Sequence, residues 1–317
     1  MSMVFNWWLE QGVQATEATS DHKNAHIPER FADAGQNRSL AGCSNVIMPP
    51  IYLCCMNIRL DGLHALIGGG TQGIGNATAR EMARLGARIT LLARDTAKLQ
   101  EAVAELDTSK GQEHLFLATD MADTAALDVT IAAHVQAHGP VDILVNNTGG
   151  PPPGLAHEAS IEAYENAFRL HLLAFQSLVL AIVPGMKERR NGRIINVIST
   201  SVKVPLPNLG VSNTVRGAVA QWAKTLANEL GPFNITVNNV LPGATATGRL
   251  KAIIGNRSSK MGVTEEAAAQ EMMDEIPMRR FAGPEETADA ICFLAGPSAA
   301  YITGVNLPVD GGRTGCL

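Results

Sequence analysis

Seven short apolar runs, near residues 63–68, 87–93, 114–119, 141–146, 192–198, 234–241 and 303–309, set what this chain can fold into. Runs such as "ITLLA" and "DILVN" are apolar at consecutive positions rather than at alternate ones. Successive side chains of a strand point to opposite faces of its sheet, so a continuously apolar strand is buried on both. Segments with helical periodicity fill most of the gaps. Strands that alternate with helices build a parallel sheet covered on each side, and the expected class is α/β. Such sheets bind ligands at the carboxyl ends of their strands, where the strand order reverses. No repeat, low-complexity tract or linker divides residues 57–317, which are expected to form one domain.

Residues 1–56 lack this order. They combine "TEATSDHKNAHIPER" with the isolated apolar patch "IYLCCM" and carry three of the five cysteines, Cys43, Cys54 and Cys55. They read as an irregular N-terminal extension: disordered, non-native, or an arm for a partner. His22 and His26 are four apart, yet no helical pattern surrounds them, so no metal site is expected. With Cys292 and Cys316 the cysteines form neither a C-x-x-C pair nor an even framework, which fits a reducing cytoplasm. A net charge of -5 with 17% charged residues offers no basic field for nucleic acid or an anionic membrane. No run is expected to approach the 18 or so apolar residues of a membrane span. The chain reads as cytoplasmic.

After the first strand comes "GGGTQGIG", Gly68 to Gly75, and then the helical "NATAREMARLGA". Glycines let the backbone turn sharply and bring its N–H groups close to a pyrophosphate at the positive end of the helix. The letters satisfy G-x-G-x-x-G at 68, 70 and 73 and G-x-x-x-G-x-G at 69, 73 and 75. With strand, helix and second strand all in place, the loop reads as a dinucleotide site. The second strand ends "LLARD". Arg94 can pair with a 2'-phosphate, and Ala93 occupies the position of an acid that would hold a free 2'-OH, which favours NADP(H) over NAD(H). Asp95 also suits the N-cap of the following helix.

"GGGTQGIG", "TDM" after the third strand, "NNTG" after the fourth, "GRIINVIST" around the fifth, "VNNVLPGATAT" after the sixth and the ending "YITGVNLPVDGG" together resemble the short-chain dehydrogenase/reductase family. The resemblance covers about residues 57–317. It implies a Rossmann-type, doubly wound, seven-stranded parallel sheet with helices on both faces, assembled as a homodimer or homotetramer, acting on a small carbonyl or alcohol substrate. Carried over residue by residue, Gly69, Thr71, Gln72, Gly73, Ile74 and Gly75 would line the pyrophosphate, and Asp120 and Met121 the adenine. Asn147, Thr148 and Gly149 would pass beneath the nicotinamide ribose, with Pro242, Gly243, Thr245 and Thr247 flanking the nicotinamide. Asp120 also suits a helix cap, and Asn146 or Asn147 a tie between strands. Residues 244–282 resemble the family's variable substrate lid, and "GGPPPG", residues 149–154, suits a cleft wall or a structural loop.

The catalytic positions depart from the pattern. The family uses a serine after the fifth strand, a tyrosine about thirteen residues later, a lysine four beyond that, and an asparagine from the preceding long helix. By count Ser199 fits the serine, but Ser212 falls at the tyrosine, Arg216 at the lysine and His171 roughly at the asparagine. Residues 212 and 216 share a helix face. An aliphatic hydroxyl is a far weaker acid than a phenol, and a guanidinium keeps its proton. Arg216 can still fix a ribose, a carboxylate or an oxyanion by forked hydrogen bonds. His171 is the one of these groups that titrates near neutral pH, which opens a relay in which it supplies the proton, although a histidine inside "FRLHLLAFQSLVLAI" is more often a core or interface residue. Ser212 equally suits the N-cap of "NTVRGAVA". His134 and His138 share a helix face without a nearby acid and read as a solvated helix end. Three functions follow: an NADP-dependent oxidoreductase with an atypical site, a cofactor-binding protein without dehydrogenase activity, and, more weakly, non-redox chemistry.

Overall fold

The computed structural model describes residues 58–316. The extension at residues 1–56, with His22 and His26, lies outside them. Seven strands form one sheet: β1 (His64–Gly68), β2 (Arg88–Ala93), β3 (Leu115–Ala118), β4 (Ile143–Asn146), β5 (Gly192–Val197), β6 (Ile235–Pro242) and β7 (Asn306–Val309). Their order is β3-β2-β1-β4-β5-β6-β7 and every pair is parallel. This is the doubly wound sheet the apolar runs imply. The order reverses between β1 and β4, which opens a crevice at their carboxyl ends.

The alternation of side chains divides the core in two. Leu66, Leu144, Ile194 and Val237 pack on one face, against α3 (Thr124–His138), α5 (Ala174–Arg189) and α6 (Gly210–Leu230). Ala65, Ile67, Ile143, Val145 and Ile195 pack on the other, against α1 (Gly73–Arg84), α2 (Thr96–Ala104) and α9 (Pro284–Ala295). The helices α7 (Gly248–Met261) and α8 (Glu265–Asp274) fill the segment between β6 and α9. The helix α4 (Ile161–Phe168) continues through one π turn, Arg169–Leu173, into α5. This continuous helix, Ile161–Arg189, is the one stretch among the described residues long and apolar enough to cross a membrane, which corrects the expectation that none approaches that limit. Its apolar side is used in the core, where Phe175, Leu178, Ile182 and Met186 are buried.

A polar cluster lies at the opposite end of the sheet from the crevice. His64 Nε2 and His134 Nε2 both meet Thr90 Oγ1, at 2.8 and 3.2 Å. His64 Nδ1 lies 3.2 Å from the Pro140 carbonyl. His134 is therefore not part of a solvated helix end: α3 carries it under the sheet, where it is 4% exposed. Burial lowers the pKa of both histidines to about 4, helped for His64 by the charge of Arg88 and for His134 by His138 and Arg88. An unfolded chain binds these protons near pH 6.5 and the folded chain only near 4, so stability is complete above pH 6.5 and falls as pH drops through that window. At about 1.4 kcal/mol per pKa unit, the loss is on the order of a few kcal/mol. Urea denaturation at pH 7.5 and 4.5 is expected to show it; equal stability at the two values would refute it.

Candidate functional site

The glycine loop bends where its letters require. Gly69 and Gly73 have φ of +58° and +57°, in the left-handed region that L side chains rarely adopt. A Cβ at Gly75 would stand 2.3 Å from the Gly69 carbonyl oxygen and 2.8 Å from Asn147 Nδ2. A Cβ at Gly68 or Gly70 would also crowd a neighbour, at 2.7 Å from the Asn147 carbonyl oxygen and from Leu91 Cδ2, so glycines of both spacings contribute to the turn. Asn147 follows β4 across the point of reversal and donates to the Gly68 carbonyl at 3.1 Å, tying the ends of β1 and β4 together. Asn146 donates to Asn196 Oδ1 at 2.8 Å and ties β4 to β5. The helix α1 begins at Gly73 with no side-chain cap and no acid in its first turn, so its first N–H groups remain for an anionic ligand.

These elements border a cleft of about 1780 Å³. All but two of the residues anticipated from the sequence line it. The exceptions are Gly75, packed inside α1, and His171, which lines an adjoining recess of about 620 Å³. Toward β2 and β3 the cleft holds Arg94, whose guanidinium is 3.9 Å from Asp120 and largely exposed. Asp95 caps α2 by accepting from Lys98 N at 3.1 Å. Asp120 accepts from Ala122 N at 2.9 Å, whereas Asp123, not Asp120, caps α3. At the other end, Thr245 and Thr247 follow β6, and the Thr247 methyl would lie 3.2 Å from a Cβ on Gly73. The segment after β6 therefore overhangs the glycine loop.

Ser199 follows β5 and accepts from Ser201 N at 3.1 Å, which fixes the short turn Thr200–Val202. The helix α6 starts at Gly210 with Leu209 at its N-cap position, so the N-cap reading of Ser212 is incorrect. Ser212 is the third helical residue and half-buried, and its hydroxyl has no hydrogen-bond partner among the described residues. The chain enters α6 through other contacts. Asn213 holds Leu206 through both its N–H and its carbonyl, and Gly154 and Gly210 exchange backbone bonds of 2.9 Å with Asn208 and Gly154. The proline loop is thereby fastened to the start of α6, and it walls both the cleft and the recess.

Arg216, one turn after Ser212, is 6% exposed. It donates to the Val197 carbonyl at 3.0 Å and forms no ion pair among the described residues. Burial, then the positive charge of Arg249, lowers its pKa to about 10; it stays charged at neutral pH. His171 is fully buried in the π turn, with Nδ1 2.5 Å from Thr148 Oγ1 and Nε2 without a partner among the described residues. Burial and the charge of Arg216 lower its pKa to about 2, so the expectation that it titrates near neutrality is corrected. A single π turn inside an α-helix recurs at functional positions, where it re-aims one side chain.

Arg249 was not anticipated from the sequence. It lies in the first turn of α7, lines the cleft, and donates to the Pro151 carbonyl at 2.6 Å over Gly150. Nothing in the pattern of "TGRLKAI" distinguishes it from a solvated helical arginine.

The chain resembles known proteins over this same region. Residues 69–314 match the family model described as Enoyl-(Acyl carrier protein) reductase. A 2,3-dihydro-2,3-dihydroxybenzoate dehydrogenase from Bacillus subtilis is 34% identical over 260 residues, 82% of this chain and 99% of that protein. A 3-oxoacyl-(acyl-carrier-protein) reductase from Vibrio cholerae is 32% identical over 258 residues, 80% of this chain and 98% of that one. Among solved structures, L-sorbose reductase from Gluconobacter frateurii, complexed with NADPH and L-sorbose, superposes with a TM-score of 0.78 at 33% identity, covering 83% of this chain and all of its own. A seven-stranded doubly wound sheet, a glycine turn at its point of reversal and relatives matched nearly end to end make this chain a member of the short-chain dehydrogenase/reductase family.

Proposed function

We propose that the chain is an NADP(H)-dependent oxidoreductase acting on a small carbonyl or alcohol substrate, with Ser212 and Arg216 standing where the family has its tyrosine and lysine. One observation carries this reading: the glycine turn and the uncapped start of α1 open onto the same cleft as Ser199, Ser212 and the buried, acid-free guanidinium of Arg216. The cradle fits the cofactor, because the close approach at Gly75 leaves room for backbone alone. Arg94 favours a 2'-phosphate. The sorbose reductase and the actinorhodin polyketide ketoreductase were both solved with NADPH, which supports the same choice here.

When bound, the nicotinamide supplies or accepts the hydride. Ser199, held by its turn, orients the substrate oxygen. Ser212 gives that oxygen a second hydroxyl partner. Arg216 stabilises the negative charge that develops there by its field, in a site where burial strengthens such interactions. None of these groups is an acid near neutral pH, so the proton reaches the oxygen through hydroxyls in contact with water.

A second reading, a cofactor-binding protein without dehydrogenase activity, is favoured by that same absence of a titrating acid beside Ser212. The two separate in one experiment. A panel of aldehydes, ketones and oxo acids is expected to contain compounds that oxidise NADPH, and Ser199→Ala is expected to lower kcat/KM by about 100-fold, the usual cost of one oxyanion partner. Tight NADPH binding with no oxidation across the panel would favour the second reading.

A further inference from the structure

The substrate end of the cleft holds more positive charge than its own side chains neutralise. Arg216 is buried with a single neutral partner among the described residues, the Val197 carbonyl at the end of β5. Arg249 has its guanidinium over Gly150 and, among the described residues, a single neutral partner, the Pro151 carbonyl beyond the end of β4. Both side chains line the same cleft, and the charge of Arg249 is felt at Arg216. The neighbouring cations Arg257 and Arg313 are different, since both pair with Glu275. Among the described residues four carboxylates line the cleft, Asp95, Asp120, Glu275 and Glu285, and none pairs with Arg216 or Arg249. Two like charges in one partly closed corner repel unless an anion joins them, and a guanidinium fork matches a carboxylate in shape.

We propose that Arg216 and Arg249 recognise a substrate carboxylate, so that the molecule transformed in this cleft is a short 2- or 3-oxo acid, or the matching hydroxy acid, taken as the free anion. The inference rests on the oxidoreductase reading and names its substrate class. Arg216 also faces the reacting oxygen, which favours an acid whose carbonyl stands next to its carboxylate or one carbon away. The carboxylate also offsets the repulsion between the arginines, so an ester of the same acid forfeits both gains.

Calorimetry on the full chain saturated with NADP⁺, in which no reduction proceeds, tests recognition apart from turnover. The probes are 2-oxobutanoate, acetoacetate and their methyl esters. At least one acid is expected to bind about 30-fold more tightly than its ester, the size of one good charge-assisted pair. Arg249→Gln, on an exposed position, is expected to remove that difference while leaving NADP⁺ affinity and Tm unchanged. Equal binding of acid and ester, an unchanged preference in Arg249→Gln, or a loss of NADP⁺ affinity in that variant would each overturn the proposal; so would inorganic phosphate displacing the acid at equal concentration. Acid-selective binding without any NADPH oxidation would keep this proposal and remove the oxidoreductase reading. Reduction of neutral ketones without preference for an acid would do the reverse.

Discussion

Replacing Arg216 with methionine is expected to leave the protein as stable or more stable, by up to about 3 kcal/mol, while lowering kcat/KM by about 100- to 1000-fold. The two halves of this result have one cause. A guanidinium that is 6% exposed and holds one carbonyl has given up most of its hydration for a single neutral bond. Apolar side chains of similar volume in place of buried charges are often neutral or stabilising by 1–4 kcal/mol. Against that stands the Val197 carbonyl, left without its donor at a cost of about 1 kcal/mol. A residue kept at a net cost to folding points to function, and the stability and activity of one variant should move in opposite directions. Thermal denaturation and steady-state kinetics on the same preparation would show it. A clear fall in Tm would mean that Arg216 serves the fold.

Replacing Gly75 with valine is expected to weaken NADPH binding by more than about 100-fold. Even the first carbon of the new side chain would meet the Gly69 carbonyl oxygen at 2.3 Å, and both partners are backbone held by the sheet and by Asn147. Relief requires the start of α1 to move away from the loop. That displaces the N–H groups on which the proposed pyrophosphate site depends. Overpacking of this kind also costs about 1–3 kcal/mol, so a matched control is needed. Gly86→Val serves, because a Cβ there would also crowd its neighbour, Asp61, away from the cleft. Fluorescence titration should separate the two variants; equal affinities would place the cofactor elsewhere.

How far the sequence determines this picture depends on the range of the interactions involved. The strands were legible because burial on both faces leaves an unbroken apolar run: six of the seven observed strands lie within the run that announced them, and β6 extends one residue past its run, to Pro242. The glycine turn was legible because only glycine tolerates φ near +58° at Gly69 and a backbone neighbour at 2.3 Å from Gly75. Ser212 was misplaced because the signal for an N-cap is local. The start of α6 is instead set by contacts from residues 154 and 206 that no local pattern shows. His171 and His134 were misjudged for the same reason: their protonation follows from burial by elements distant in the chain and from Arg216, Arg88 and His138. Arg249 gave no signal, since its importance lies only in having Arg216 as a neighbour.

A family site that works without a titrating acid leaves its mark on the pH dependence of hydride transfer. With a substrate from the carbonyl panel, single-turnover rates would be measured between pH 6.5 and 9, above the range in which His64 and His134 weaken the fold. His171 takes up its proton only near pH 2 and Arg216 loses its own only near pH 10, so the rate should be flat across that interval. A sigmoidal profile with a midpoint between pH 7 and 8 would contradict the account, because it would require a proton donor in the cleft that Ser199, Ser212, His171 and Arg216 do not provide.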